Sequence, residues 1–221
     1  MSHLLKLTFG PFQENTYVIY DQTSECIVID PGCSNAAERA ELIKTIDSLG
    51  LKPVRLINTH CHVDHIPGNA LIADTYHVGL EIHPNEVQVL SDAPSFAGIF
   101  QIEMSGDQPP IKAFINEGDE IKFGSTTLRT LLTPGHSPGS ISFYNEIEGY
   151  VISGDVLFYR SVGRYDLPGA DGSQLFQSIT TKLMTLPDDV KVYSGHGPDT
   201  TIGSERRHNP FLKNNFSQTL S

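Results

Sequence analysis

Residues 56–69, LINTHCHVDHIPGN, place three histidines and an aspartate within six positions: His60, His62, Asp64 and His65. The apolar, β-branched run before them, PVRLIN, reads as a strand, so the cluster opens at a strand's carboxyl end, where loops build sites. In an extended loop, residues two apart point the same way, so His60 and His62 converge while Cys61 faces elsewhere. Asp64 and His65 are adjacent and cannot both follow that direction. The spacing therefore reads as two metal positions, one fed by His60 and His62, the other by Asp64 and His65. Imidazole and carboxylate donors suit zinc, iron or manganese. By accident such a cluster arises roughly once in a thousand chains of this histidine content, so a metal-binding loop is the better reading.

Three further residues share that strand-end context. His136 lies in LLTPGHSPGS, Asp155 in YVISGDVLF and His196 in VKVYSGHGPD, each after an apolar run and a glycine. Singly, each reads as an ordinary loop residue. Together they supply a third ligand to each metal position and a carboxylate able to bridge them. His3, His77, His83 and His208 lack this context and read as surface or structural residues, with His83 a candidate supporting partner. Cys61 lies between ligands, but the neighbouring pattern already supplies enough donors.

The flanking sequence alternates strand-like and helical periods. HLLKLTF, NTYVIYD and ECIVIDPG predict an antiparallel meander. SNAAERAELIKTIDSLG predicts a helix capped by Ser34 or Asn35, stopped at Gly50, with Ala36, Ala40, Ile43 and Ile46 forming its buried stripe. PVRLINTH is a strand, NALIADTYH a helix, and HPNEVQVLSD a short helix opening at a proline. Residues 93–110 show no clear period and read as a loop whose Phe96, Ile99 and Phe100 either cover a cleft or pack in the core. IKAFI, DEIKFG, STTLRTLLTPG, SISFYN and GYVISGD open a second strand-rich half, followed by the helix DGSQLFQSITTKLMTL and the strand VKVYSGH. Two such halves predict a four-layer α/β protein, two sheets packed between helices, as one domain over residues 1–221.

Composition narrows the function classes. The 221 residues carry a formal net charge of −11, with 15 scattered Lys and Arg, which argues against nucleic acid as a partner. No run has the length of a membrane span, and the start lacks a signal-peptide core, so a cytosolic protein is expected. Three cysteines, Cys26, Cys33 and Cys61, fit reduced thiols better than a disulfide framework. The oligomeric state is not legible.

The loop H-x-H-x-D-H, followed by lone His136, Asp155 and His196, resembles the metallo-β-lactamase superfamily over nearly the whole chain. More narrowly, DPG at Asp30 to Gly32, TPGHSPGS, SGDVLF, VGRYDLP, SGHGP and ERRHNPFL resemble its short glyoxalase II-like branch. The resemblance implies an αββα sandwich with two mixed sheets. It implies His60, His62 and His136 on a first metal, Asp64, His65 and His196 on a second, Asp155 bridging, and Asp30 orienting a ligand. The cofactor implied is two divalent ions, zinc foremost, with iron or manganese as alternatives. Arg164 matches the basic residue that contacts substrate in the family and Tyr165 replaces an aromatic; an ordinary surface ion pair is the competing reading for Arg164. Asp166 stands where longer relatives carry a tyrosine, and Gly197 and Pro198 replace a Glu-Tyr pair. The helical C-terminal domain that completes the glutathione site in full-length glyoxalase II is not expected here.

The implied reaction is hydrolysis of a small thioester such as S-lactoylglutathione by a metal-bridged hydroxide, with Asp64 orienting it and taking its proton. A lactone or another ester is the nearest alternative substrate. A mononuclear iron persulfide dioxygenase, using His62 or His60 with His136 and Asp155, is the alternative from another class, although the complete second ligand set disfavours it. A non-catalytic metal-binding module would be expected to lose ligands, and none is lost.

Overall fold

The structure, a computed structural model, describes residues 1–216. Its first sheet has the order β1 (Ser2–Phe9), β2 (Glu14–Asp21), β3 (Glu25–Ile29), β4 (Lys52–Ile57), β5 (Leu80–Ile82) and β6 (Ile111–Phe114). The first three strands form the antiparallel meander; from β3 onward neighbours run parallel. The second sheet orders β14 (Thr200–Thr201), β13 (Lys191–Ser194), β10 (Tyr150–Gly154), β9 (Ile141–Asn145), β8 (Thr126–Leu132) and β7 (Glu120–Phe123), and a small hairpin joins β11 (Leu157–Phe158) to β12 (Ser161–Val162).

Strand alternation produces the layers. On β2 and β3, Tyr17, Ile19, Ile27 and Ile29 turn toward the second sheet, meeting Leu128, Ile141, Phe143 and Ile152. The intervening Val18, Cys26 and Val28 face α1 (Ala36–Ser48), α2 (Asn69–Tyr76) and α3 (Val87–Phe100), through residues such as Leu42, Ile46, Ile72 and Leu90. On the far side, Val151 and Val192 pack under α4 (Gly172–Thr181), α5 (Ile202–His208) and α6 (Pro210–Phe216) through Leu175, Ile179, Ile202 and Leu212. Strands apolar on both faces must be covered on both, and the αββα sandwich satisfies that requirement.

Three sequence expectations need correction. Residues 93–100 are helical, the continuation of α3, with Leu90, Ala93 and Ala97 buried. Small alanines at these positions leave a weak apolar period, and Pro94 reads as a breaker although it sits within the helix. The α1 stripe is Leu42 and Ile46, with Ile43 half-buried, whereas Ala36 and Ala40 are exposed; Asn35 provides the cap, accepting from the Ala37 and Glu38 N–H groups. Ile111–Phe114 closes the first sheet, parallel to β5, rather than opening the second half, because strand pairing is decided by partners distant in sequence. Among the described residues, no helix is long and apolar enough to cross a membrane.

Candidate metal centre

Topology brings the strand ends together. β8 and β10 are both antiparallel to β9, and β13 is parallel to β10, so β8, β10 and β13 share one direction. The loops after them carry His136, Asp155 and His196. In the facing sheet β3 and β4 are parallel and deliver Asp30 and the loop containing His60, His62, Asp64 and His65. The two sheets are tied at this end by the Asn15 N–H on the Gly195 carbonyl (2.7 Å) and the Ile141 N–H on the Thr59 carbonyl (2.9 Å).

The donor atoms fall into groups. His60, His62 and His136 each offer a nitrogen within 4.8 Å of the others, and a carboxylate oxygen of Asp64 with nitrogens of His65 and His196 forms a second such group. Asp155 lies between the groups: Oδ2 is 3.5 Å from Nε2 of both His136 and His196, and Oδ1 is 3.5 Å from His65 Nε2. His62 presents Nδ1, 2.9 Å from His136 Nε2. His60 and His65 are fully buried, while His62, Asp64 and His196 are half-buried, so the site opens on their side.

Hydrogen bonds on the outer ring nitrogens set the tautomers. His136 Nδ1 donates to the Arg164 carbonyl (2.7 Å) and His196 Nδ1 to the Phe12 carbonyl (2.9 Å); a carbonyl only accepts, so in each neutral ring the hydrogen sits on Nδ1 and Nε2 is the atom available to a ligand. The Thr59 hydroxyl donates to Asp30 (2.5 Å) and thereby accepts from His60 Nδ1 (3.1 Å). His65 Nδ1 donates to the other face of that same carboxylate oxygen, Asp30 Oδ2, at 3.1 Å. Four imidazoles are thus anchored through Nδ1 with Nε2 turned inward, the arrangement that supporting carboxylates and carbonyls impose on metal-ligating histidines. Asp30, His60 and His65 also lie close enough to form a third group. Asp30 is a poor ligand there, because its oxygens already accept from the Thr59 N–H and hydroxyl, His65 and Asn58.

Two observations test whether these residues fit a metal. His60 Nε2, His65 Nε2 and Asp155 Oδ1 are buried without a hydrogen-bond partner. Buried polar atoms are rarely left so, and here they are aimed at one another. The electrostatics also demand positive charge. Burial disfavours a proton on His65, yet Asp155 and Asp64 outweigh it and hold its pKa well above the usual value. Burial and His136 push His62 down to about 3, so that ring is a neutral donor. Asp155, despite burial, is held well below the carboxylate range by His196 and His65. A neutral His62 beside an ionised Asp155, together with carboxylates that draw a proton onto His65, fits a site built to take a divalent cation in place of that proton.

The remaining candidates are placed as follows. Cys61 is buried in the core, with its thiol pKa raised well above normal by burial. Arg164 pairs through Nε with exposed Asp166 at 2.9 Å, and only its backbone carbonyl touches the ligand sphere. Tyr165 is exposed and meets Phe176 edge-on. His83 caps the turn before α3, His77 ends α2, His3 stacks on Tyr20 and His208 closes α5. Phe96, Ile99 and Phe100 are exposed, and Phe12 meets Phe100 edge-on, making an apolar rim above the His196 side.

Sequence reasoning missed two buried carboxylates. Glu14 accepts from the Thr16 hydroxyl (2.9 Å) and lies 3.8 Å from His65 Nδ1. Glu86 accepts from three donors in two ligand loops. Nothing local marks either, since both are defined by partners that only folding supplies. Gly195 stands out in the sequence only as part of SGHGP. A Cβ there would overlap Asp155 Oδ1 and crowd His65, so the glycine lets these two side chains approach each other.

Residues 9–196 match the family model of the metallo-beta-lactamase superfamily. The chain belongs to that superfamily, whose fold the two sheets reproduce. It is 38% identical over 214 residues to a probable metallo-hydrolase, YqgX, of Bacillus subtilis, covering 96% of this chain and 98% of that one. It is 36% identical to the hydroxyacylglutathione hydrolase GloC of Haemophilus influenzae (91% and 93% covered). The human mitochondrial persulfide dioxygenase ETHE1 is 34% identical (95% and 76% covered). Among solved structures, BLEG-1 B3 metallo-beta-lactamase superposes with a TM-score of 0.86 at 36% identity (95% and 99% covered). TTHA1623 in a di-iron-bound form superposes at 0.84 with 37% identity (94% and 100% covered). The chain is accordingly a metal-binding hydrolase-superfamily enzyme.

Proposed function

We propose that the protein hydrolyses a small thioester of the S-acyl glutathione type, S-lactoylglutathione being the representative substrate, at a centre of two divalent metal ions. The observation that carries this reading is the meeting of two three-donor groups with Asp155 between them. His60, His62 and His136 would hold one ion, Asp64, His65 and His196 the other, and Asp155 both. When bound, the ions would supply Lewis-acid polarisation of the substrate carbonyl and an acidified water. Zinc suits the donor set, as do iron and manganese.

The chain's own groups do the rest. Asp64, whose Oδ2 is 3.2 Å from His196 Nε2 at the open side, is placed to orient the attacking water and accept its proton. The cysteines do not compete as nucleophiles: burial pushes the thiols of Cys26 and Cys33 up to about 12, and Cys61 is buried in the core. A thiol leaving group with a pKa near about 8.5 departs without a dedicated acid, which favours a thioester over an amide.

Two residues at the mouth are assigned to substrate. Exposed ion pairs are weak and screened, so Arg164 can exchange Asp166 for a substrate carboxylate. Arg164→Ala is expected to raise KM severalfold with a smaller effect on kcat; unchanged kinetics would return the residue to a surface role. The Phe12–Phe100 rim suits the acyl group. Phe100→Ala should lower kcat/KM about tenfold for a bulky apolar S-acyl group and little for S-lactoyl; equal effects on both would remove the rim from acyl recognition.

A second reading is favoured by the similarity to a persulfide dioxygenase. His62 or His60, with His136 and Asp155, would serve a single iron. Side-by-side assays decide: thiol release from S-lactoylglutathione supports the hydrolase, whereas oxygen uptake with glutathione persulfide and no thiol release supports the dioxygenase.

A further inference from the structure

The three donors of the first group come from two loops 74 residues apart in sequence, His62 in one and His136 in the other. Neither loop is regular structure, and something must hold them in register. Glu86 touches both. Its side chain is fully buried, and Oε2 accepts the Cys61 N–H at 2.7 Å, between His60 and His62. Oε1 accepts the Ser137 hydroxyl at 2.6 Å and the Gly139 N–H at 2.7 Å, immediately after His136. Asn85 adds a bond from its side-chain amide to the Pro138 carbonyl at 3.3 Å, and His83 Nδ1 caps the turn by accepting the Asn85 N–H. The tight turn Pro84–Glu86 is thus a template on which the His136 loop is seated. Gly139 belongs to the device: a Cβ there would lie 2.9 Å from Glu86 Cγ and His83 Nδ1.

We infer that Glu86 is the positioning residue of the first metal group, a buried carboxylate that clamps the His60–His62 loop to the His136 loop and has no contact with the Asp64, His65, His196 group. The inference rests on the metal-centre reading above. Carboxylate chemistry explains the choice of side chain, since three donors converge on two oxygens and only an acceptor-only group satisfies them all. A glutamine would place an NH2 against a donor, turning one attraction into a repulsion while conserving shape.

The test is a competition titration of zinc into the chelator-stripped protein, with His62→Ala used to assign which binding step belongs to the first group. Glu86→Gln is expected to weaken that step about 10- to 100-fold and leave the other within about threefold of the wild type. Ser137→Ala, which removes one bond of three, should weaken the same step by a smaller factor, and decides the matter alone if Glu86→Gln does not fold. A lower unfolding temperature with both steps unchanged, or both steps weakened alike, would overturn the inference and leave Glu86 a structural residue. If His62→Ala removes no zinc step from the wild-type pattern, the metal-centre reading itself falls, and this inference with it.

Discussion

Replacing His136 by alanine is expected to lower kcat/KM for thioester hydrolysis by a factor on the order of 10³ or more, about 4 kcal/mol of transition-state stabilisation, while the protein still folds. His136 is almost wholly buried, and its Nε2 faces both His62 and Asp155, so its loss leaves only two of the three donors of the first group, His60 and His62. The structural cost is small by comparison. The ring sits in a loop, and the bond lost is Nδ1 to the Arg164 carbonyl, about 1 kcal/mol. Activity, metal content and a thermal unfolding curve on one preparation check the prediction. Full turnover with undiminished metal would remove His136 from the centre.

Asp30→Ala is expected to act through stability as well as the site. One buried carboxylate accepts from the Thr59 N–H (2.7 Å), the Thr59 hydroxyl (2.5 Å), Asn58 (3.3 Å) and His65 Nδ1 (3.1 Å). Alanine would remove the acceptor of the Thr59 N–H, the Thr59 hydroxyl and His65 Nδ1, and one of the two acceptors of the Asn58 amide, costing about 3–5 kcal/mol, or roughly 10 °C in Tm for a chain of this size. The backbone adds to the cost, because Asp30 sits at φ +50°, a conformation that aspartate and asparagine tolerate better than alanine. Metal affinity should fall about 10- to 100-fold, since His60 and His65 lose the partner fixing their tautomers. Asp30→Asn keeps the backbone preference and should lie between the two. Differential scanning calorimetry and a metal titration read these effects, and an Asp30→Ala protein with wild-type Tm and affinity would show that the carboxylate supports nothing.

What was legible in the sequence follows from locality. His60, His136, Asp155 and His196 each end an apolar run, so strand and site were written side by side, and the strand direction that gathers them follows once the sheets form. The β-branched and aromatic runs NTYVIYD and ECIVID made the meander of β2 and β3 legible in the same way. The carboxyl half of α3 was not legible, because its buried positions are alanines and Pro94 stands within it. β6 reads with the second half because its partner β5 lies some thirty residues earlier and pairing leaves no local mark. Glu14 and Glu86 were invisible for the same reason, since a glutamate destined for burial looks like any surface glutamate until Thr16, Ser137 or Gly139 reaches it.

Restoring metal to chelator-stripped protein while following thiol release from S-lactoylglutathione tests the central claim most directly. The account predicts negligible turnover without metal and a rate that climbs with added zinc, iron or manganese until about two ions per chain are bound. Undiminished hydrolysis by the stripped protein would contradict it, as would a fully loaded protein that releases no thiol.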